Sequence, residues 1–431
     1  MRELLANTAL AAVTIALLGV VAAIATHQPD RERASAEVLV EDRESWVDGA
    51  LVALGYVDNV PVDDPENPSA GVTVWDTERA QPGLNLYTPA GSYYAVLFDL
   101  AGNEVHRWTQ PRQKGRRWHF VEPLPGGDLL VIRQDLSLTR MSWDSEILWR
   151  APLRAHHDAT LAPDGTIWAL ARRDVIETVD GRAVPILGDQ LVHLTGGGKI
   201  IETIDLWPMM IEWMSDTAVR RVKRMADDPG LLDAIRTAGP GEIHLRYDTA
   251  ADISHHNTVE VADRDIPGVC RTGDLLLMAR NLDRLFVLDP ATETIRWSWS
   301  GHGIERPHHP TLIDRDHILF FDNGSRRGWS RVVEIDPVSE EIVWHWAGSE
   351  GRPFFSHSRG ANERLANGNT LITEGNRGRV IEVTPGGDIV WEFYCPKLTT
   401  NRKTGAVERA AIYRMSRITD AALLGEVGLL P

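Results

Sequence analysis

Cysteine is scarce: Cys270 and Cys395 are the two in 431 residues. They allow at most one disulfide and supply neither a disulfide framework nor a thiolate metal motif. Positive charge is short as well, with 45 Lys and Arg against 61 Asp and Glu and a net charge of −16. That acidity is spread through the chain rather than gathered in a tail. Phosphate-backbone binding needs a basic stripe, so the balance argues against nucleic acid as a partner. A small anion held in a local basic pocket stays open. No HExxH ligand pair, Gly-rich phosphate loop or GxSxG elbow is present, and with them go the common signatures of zinc, nucleotide and serine-hydrolase chemistry. One long apolar run occurs, residues 4–25, which is uncharged. It is long enough to span a bilayer and exceeds the ~7–15-residue apolar region of a signal peptide. We expect a retained anchor; Ala23-Ile24-Ala25 would be the cleavage site of a signal. Arg2 on one side and Arg31 and Arg33 on the other leave its orientation undecided.

What the chain has in quantity is a repeat. Residues 365–393 read as three short strands, each opened by a turn at Asn367-Gly368, Asn376-Arg377-Gly378 or Pro385-Gly386-Gly387. Alternating apolar residues between such clusters mark strands and hairpins. The pattern recurs upstream over residues 317–346 and 274–299, and the matching Trp297, Trp344 and Trp391 are spaced 47 and 47 apart. Weaker copies end at Trp108, Trp149 and Trp207. Several strands per unit at a period of ~40–50 residues indicate propeller blades. The expected fold is all-β, a six-bladed β-propeller over residues 91–431. The first hairpin, residues 94–108, lacks an inner strand before it. The last strand, residues 410–418, lacks a hairpin after it. Sharing one sheet would close the ring and remove two edges.

Residues 1–30 are the anchor or signal segment, and residues 31–90 a linker and small appendage with helical spacing over 38–56. Residues 208–252 break the period. Val219, Val222, Met225, Leu231 and Ile235 have helical spacing there, with Asp228-Pro229-Gly230 between two short helices. Such an insertion maps to one face of a propeller, as a rim element or a binding loop.

Histidines stand where inner strands begin. His119 and His157 each lie eight residues before a turn glycine, Gly127 and Gly165; His255-His256 precedes NTVEV, and His308-His309 precedes PTLIDRDHILFF. Inner strands start at the mouth of the central channel, so these side chains are expected to converge on one funnel. The fifth unit has Gly360 at that position and His357 three residues upstream. A histidine at a strand start is also an ordinary hydrogen-bonded turn residue. Adjacent pairs such as His156-His157 are expected to point to opposite faces, which disfavours a metal site. Arg280, Arg326, Arg327 and Arg331 accompany the ring. Guanidinium forks suit phosphate or sulfate, though pairing with Asp or Glu is their commoner fate.

Several of these stretches together resemble the bacterial arylsulfate sulfotransferases, exported six-bladed propellers that move a sulfuryl group between phenols. The resemblance runs from about Val72 to Ile418. It is carried by GLNLYTPAGSYYAVLFDLAGNEVHRW, DISHHNTVEV, the MARN ending at Asn281, HHPTLIDRDHILFFDNGSRRGWSRVVEIDP and AIYRMSRI. It implies catalytic roles for His255 and His309, and a sulfate-clamping role for Arg327, 18 residues after His309. His119, His157, His256, Asn257, Arg280 and Asn323 fall around them as substrate-binding residues. The family's nucleophilic histidine lies after the turn that here reads TEGNRGRVIEV, where this chain has Asn376 and Arg377 and no histidine. His357 is the candidate replacement. The resemblance implies neither a metal nor a nucleotide sulfate donor, and no cofactor is expected.

The implied partners are an aryl sulfate donor and a phenol acceptor. The implied setting is the bacterial inner membrane, spanned once by the N-terminal helix, with the propeller facing the periplasm, or secretion there if that segment is cut. Two other readings stand beside this one. A propeller that kept the fold could serve as a binding or assembly module of a membrane complex, or as a homo-oligomer. More weakly, it could be a metal- or quinone-dependent oxidoreductase.

Overall fold

The computed structural model describes residues 58–66, 68–112, 117–227, 252–349 and 354–419. The expected anchor, the helix over 38–56 and the later part of the insertion lie outside them. Among the described residues no helix is long and apolar enough to cross a membrane. The described residues form an all-β structure with seven antiparallel sheets. Six of these have four or five strands, and consecutive strands pair by short turns in each.

In the second sheet Trp118–Pro123 leads to Leu129–Arg133, Ser137–Met141 and Ile147–Ala151. The third runs Ala155–Leu161, Ile167–Val179, Arg182–Leu194, Ile200–Asp205, and the fourth His256–Val261, Leu275–Ala279, Arg284–Asp289, Thr294–Trp299. The fifth runs His308–Ile313, His317–Asp322, Arg331–Ile335, Ile342–Trp346. The sixth runs Ala361–Arg364, Thr370–Glu374, Arg379–Val383, Ile389–Tyr394, and Gly71–Trp75 adds a fifth strand at its outer edge. The remaining large sheet, counted as the first, mixes the two ends of the chain: Ile412–Ile418, Leu84–Pro89, Tyr94–Phe98, Glu104–Thr109. The leading strand of each sheet packs on that of the next. Ile412–Ile418 touches both Ala361–Arg364 and Trp118–Pro123, so the succession returns to its start.

The terminal strand therefore joins the sheet expected of it, but it pairs with Leu84–Pro89 rather than with the Tyr94 hairpin. LNLYTP lies within the expected appendage, a stretch rich in Pro, Asp, Asn and Gly. All but the first of its six residues are buried, and burial on both faces erases the alternation that marks a strand. The segment read as an appendage also supplies Gly71–Trp75, and Asn59–Pro61, which forms the small seventh sheet with Val407–Ala410 and Leu398–Thr400.

Three of the repeated tryptophans fasten one sheet to the next. The Trp149 indole N–H donates to Gly196 O (3.0 Å), Trp344 to Pro385 O (3.0 Å) and Trp391 to Leu100 O (2.9 Å). Each acceptor sits in a turn of the following sheet, and the last bond runs from the sixth sheet to the first. Gly198 has φ +82, and a Cβ there would lie 2.5 Å from the Trp149 ring, so that turn needs glycine for backbone and space alike. Trp391 is fully buried and stacks with Phe98 and Phe393; truncating such a side chain costs ~3–5 kcal/mol. Trp207 departs from the pattern. The strand before it ends at Asp205, and Trp207 opens a short helix, Trp207–Met210.

The middle hairpin of the third sheet, with 13 residues per strand, extends past its neighbours and turns at Asp180-Gly181, where φ is 50 and 77. Asp-Gly at positive φ is the usual hairpin turn. The described part of the insertion packs on this extension. Helix Asp216–Ala226 starts at Ser215, whose hydroxyl accepts from Ala218 N (3.2 Å), a capping arrangement. Val222 is buried with Val184, Ile186, Leu187, Trp207 and Ile253. Cys270 and Cys395 are buried free thiols in separate core clusters.

Candidate active site

Five of the six leading strands share a defect at their starts. Register slips between Trp118 and Phe120, Ala155 and Ala159, His256 and Val259, His308 and Thr311, and Ile412 and Met415. Bulges of this kind re-aim side chains. Three of the residues there, His157 (φ 56), His255 (φ 52) and His309 (φ 51), adopt left-handed backbone. Such a conformation costs a non-glycine residue ~1–3 kcal/mol and gathers at functional sites. It also overturns the expectation that adjacent histidines face apart: the His156 and His157 rings hydrogen-bond through their Nδ1 atoms at 2.7 Å. The alternation rule fails because the backbone between them is not extended.

The result is a row of three imidazoles. His157 Nε2 lies 3.2 Å from His255 Nε2, and His255 Nδ1 hydrogen-bonds Asp252. At the other end His156 Nε2 lies 3.0 Å from Asp189 Oδ1, close but off the line of a good hydrogen bond. Asp189 Oδ2 accepts from His256 N (2.9 Å) and pairs with His256 Nδ1 (2.8 Å). Arg172, 3% exposed at its side chain, joins the two ends, reaching Asp189 at 2.8 Å and Asp252 at 3.3 Å, with Asp135 3.7 Å from its Nε. His119 and Tyr413 cover the row. Their ring centroids are 4.3 Å apart, and they lie 5.3 and 5.8 Å from that of His157. The Tyr413 hydroxyl donates to Asn257 O at 3.2 Å.

Burial holds the His157 ring well below the usual imidazole range, and His255, His156 and His119 push the same way. Burial brings His255 to about 4 against the pull of Asp252. His156 is lowered by burial and then by Arg172. Burial alone would raise the two carboxyls. Arg172 and the histidines outweigh it, leaving Asp189 well below the carboxylate range and Asp252 at about 2.

His309 faces a different space. It lines a cavity of about 180 Å³ with Glu122, Asp158, Thr258, Glu260 and Arg414. Its Nδ1 accepts from Asn362 N at 3.2 Å, so Nε2 carries the proton. Burial, then Arg414, keeps it neutral. Arg414 pairs with Asp158 (3.2 Å) and lies over the Phe120 ring. Burial pushes Glu122 and Glu260 up to about 8.

The remaining expected residues are placed as follows. Arg280 is buried; its backbone N–H donates to His255 O (3.2 Å), its Nη1 donates to Asn281 Oδ1 (2.9 Å), and its charge acts on both His255 and His308. Asn323 Oδ1 accepts from His308 Nδ1 (2.6 Å), and its amide nitrogen donates to the loop carbonyls of Ser356 and Arg359. Asn257 donates to Pro307 O (2.9 Å), so both asparagines brace strand starts. Arg327 is engaged at every nitrogen, by Trp329 O (3.1 Å), Gly303 O (3.3 Å) and Asp322 (3.1 Å). His357 is half-buried beside Phe355, with the Ser325 hydroxyl on its carbonyl. Asn376, in the turn near which the resemblance puts the family's nucleophile, is bound to Ser356 and Ser358. Among the described residues no His, Cys, Asp and Glu cluster has the geometry to hold a metal.

Sequence reasoning missed Asp189, Asp252, Arg172, Tyr413 and Arg414. For the last two a signal existed, because residues 410–418 were read as a leading strand and its start should match the others. Asp189 sits mid-strand in a long hairpin, and nothing local marks it.

An all-β protein with a buried polar site at converging strand starts is the class that fold and site define. The chain belongs to the arylsulfotransferase (ASST) family, whose model matches residues 121–395. No curated protein matches it. Similar solved structures include a protein of unknown function from Bacteroides caccae, 14% identical, covering 79% of this chain and 100% of that one, with TM-score 0.47. A virginiamycin B lyase from Staphylococcus aureus is 14% identical, covering 84% and 98%, with TM-score 0.42. The β-propeller domain of Cps50 (Swd1) from Myceliophteria thermophila is 13% identical, covering 80% and 100%, with TM-score 0.42.

Proposed function

We propose that the six larger sheets are the blades of one propeller, and that it moves a sulfuryl group from a phenolic sulfate ester to a phenol. Family membership supports the transferase class. The observation that carries the reading is the row His156–His157–His255 under His119 and Tyr413, with Arg280 behind it. Sulfuryl transfer resembles phosphoryl transfer in asking for position and charge stabilisation above all. Arg280 is the guanidinium we assign to the sulfate oxygens; Arg327 would have to release Asp322 to reach them. His255 and His157 serve the phenolic oxygen, and His309 the channel beyond. Residues 4–25 would anchor the propeller at the periplasmic face of the inner membrane.

The test is turnover of a chromogenic aryl sulfate by the purified protein, with and without excess phenol. Phenol-dependent release supports the reading, and no release with any phenolic donor ends it. His357→Asn belongs in the same assay. Full activity removes His357 as a covalent carrier, whereas a sulfuryl label on His357, lost with turnover in the variant, establishes it.

A second reading rests on Asn376. Its amide is locked by two serines in the region where the resemblance implies a nucleophilic histidine, which favours a propeller that binds phenolic sulfates without turning them over. Saturable binding without turnover would select it.

A further inference from the structure

The imidazole row has a proton count. Three rings have six nitrogens, and all six are committed to four contacts: Asp189 with His156, His156 with His157, His157 with His255, and His255 with Asp252. Three of these are hydrogen bonds and need one hydrogen each; at the fourth, His156 Nε2 stands 3.0 Å from Asp189 Oδ1 off the line of a bond, where a hydrogen on Nε2 replaces a lone pair facing a carboxylate. Three neutral imidazoles carry three, since each has one N–H. With three, one contact must set a lone pair against a lone pair or against a carboxylate oxygen. In a buried site such a contact is costly, and at Asp189 the donors Arg172 and His256 offset it only in part.

Charge points the same way. Asp189 and Asp252 face the single guanidinium of Arg172, which leaves one negative charge that one extra proton cancels. Asp135 beyond Arg172 and Arg280 behind His255 add one charge of each sign. His256, His119 and Tyr413, the other polar groups packed on the row, bring hydrogen bonds and ring faces. Burial and mutual repulsion lower each ring taken singly. The same repulsion limits the row to one extra proton and does not forbid the first, because the charge is shared over three rings.

We propose that His156, His157 and His255 work as one unit holding a single shared proton, delivered to and recovered from substrate at the junction of His157 and His255. That junction is the place for exchange. At 3.2 Å it is longer than the 2.7 Å link beside it, and His157 and His255 keep 2% and 4% exposure where His156 has none. In the transfer proposed above, the donor's S–O bond breaks and its phenolate oxygen takes the shared proton from Nε2. The acceptor phenol gives its O–H proton to the same nitrogen as its oxygen forms the new S–O bond. One proton leaves and one returns, so no co-reactant is needed. His157 and His255 would be catalytic residues; His156, Asp189 and Asp252 are positioning residues that set the proton's energy along the row. This use of the proton rests on the sulfotransferase reading. The proton count does not.

The experiment is nitrogen-15 NMR of histidine-labelled protein near neutral pH, with the three rings assigned. Four protons over the six nitrogens, with averaged shifts across the shared contacts, are expected. Three protons overturn the proposal whether or not the protein turns over any sulfate, and four with no turnover uphold the count while ending the sulfotransferase reading. In an active protein His156→Gln should lower kcat by roughly 10²-fold, the scale of general acid–base catalysis. It should also move the alkaline limb of the kcat profile to lower pH, with KM little changed. Loss of activity with the limb in place would reduce His156 to a structural residue and overturn its share in the proton.

Discussion

Arg172→Met would leave the carboxylates of Asp189 and Asp252 in the protein interior around a neutral side chain. The guanidinium now lies 2.8 Å from Asp189 and 3.3 and 3.4 Å from the two oxygens of Asp252. Removing one partner of a buried ion pair costs ~3–5 kcal/mol. Two carboxylates lose a partner here, but Asp189 keeps the His256 N–H at 2.9 Å and His256 Nδ1 at 2.8 Å. We therefore expect a loss of about 4 kcal/mol at neutral pH, a large part of a typical ~5–15 kcal/mol total. The pH dependence is the sharper test. Burial would raise Asp252, and Arg172 with His255 overrides it to hold the carboxyl at about 2. That lowered value contributes stability above the unfolded-state pKa of ~3.9, lost as pH falls through the folded one. Without Arg172 the folded pKa rises above the unfolded one, and stability is then lost as pH rises. The deficit should be largest near pH ~8 and shrink toward pH ~4.5. Urea denaturation across that range measures it, and Asp252→Asn in the same background should recover part of the loss. A loss under ~1 kcal/mol near neutral pH, or one that does not change with pH, would refute the account of Arg172 as the counter-charge of the row.

Three further outcomes are expected. Glu122 and Glu260 are pushed to about 8 and Glu363 to about 7 by burial, so the folded protein keeps protons that the unfolded chain sheds from its carboxyls at pH ~4.3. The contribution of these groups should therefore be full near pH ~4 and decline as pH rises toward 8, and Glu260→Gln should flatten part of that slope in melts at a series of pH values; an unchanged slope would show that these buried carboxyls are ordinary. Ending the chain at Ala411 removes Ile412–Ile418 and bares the Leu84–Pro89 edge, so the product should be insoluble or unfolded by circular dichroism; a soluble, cooperatively melting product would mean closure does not depend on that strand. Arg280→Ala should weaken sulfate binding in calorimetry by more than Arg327→Ala, since Arg327 is spent on Asp322 and two carbonyls; the opposite order would restore Arg327 as the clamp.

The sequence by itself determined the repeat and the strand pattern. Trp297, Trp344 and Trp391 recur because each outer strand meets a turn of the next sheet, and Trp344 and Trp391 can be seen donating there. A period enforced by sheet-to-sheet packing is written locally, once per unit, and can be read locally. The histidines at strand starts were legible for the same reason. So was the place of residues 410–418 in the sheet of the first hairpin, although the buried strand Leu84–Pro89 between them was not.

Tertiary structure alone decided which histidines meet. His157 and His255 touch across 98 residues, and Asp189 reaches His256 across 67. The bulges and left-handed backbone that turn adjacent rings toward each other break the alternation on which a strand reading relies. The same bulges separate His309, which the pattern grouped with the rest, into a cavity of its own. Arginine gives the clearest case. Arg172, Arg280 and Arg327 look alike in sequence, and their charges are assigned by which carboxylates the fold places within reach: Arg172 binds the two aspartates of the imidazole row, Arg327 closes on Asp322, and Arg280 lies buried behind His255. Pairing of charges is a property of distance in space, and distance in sequence does not fix it.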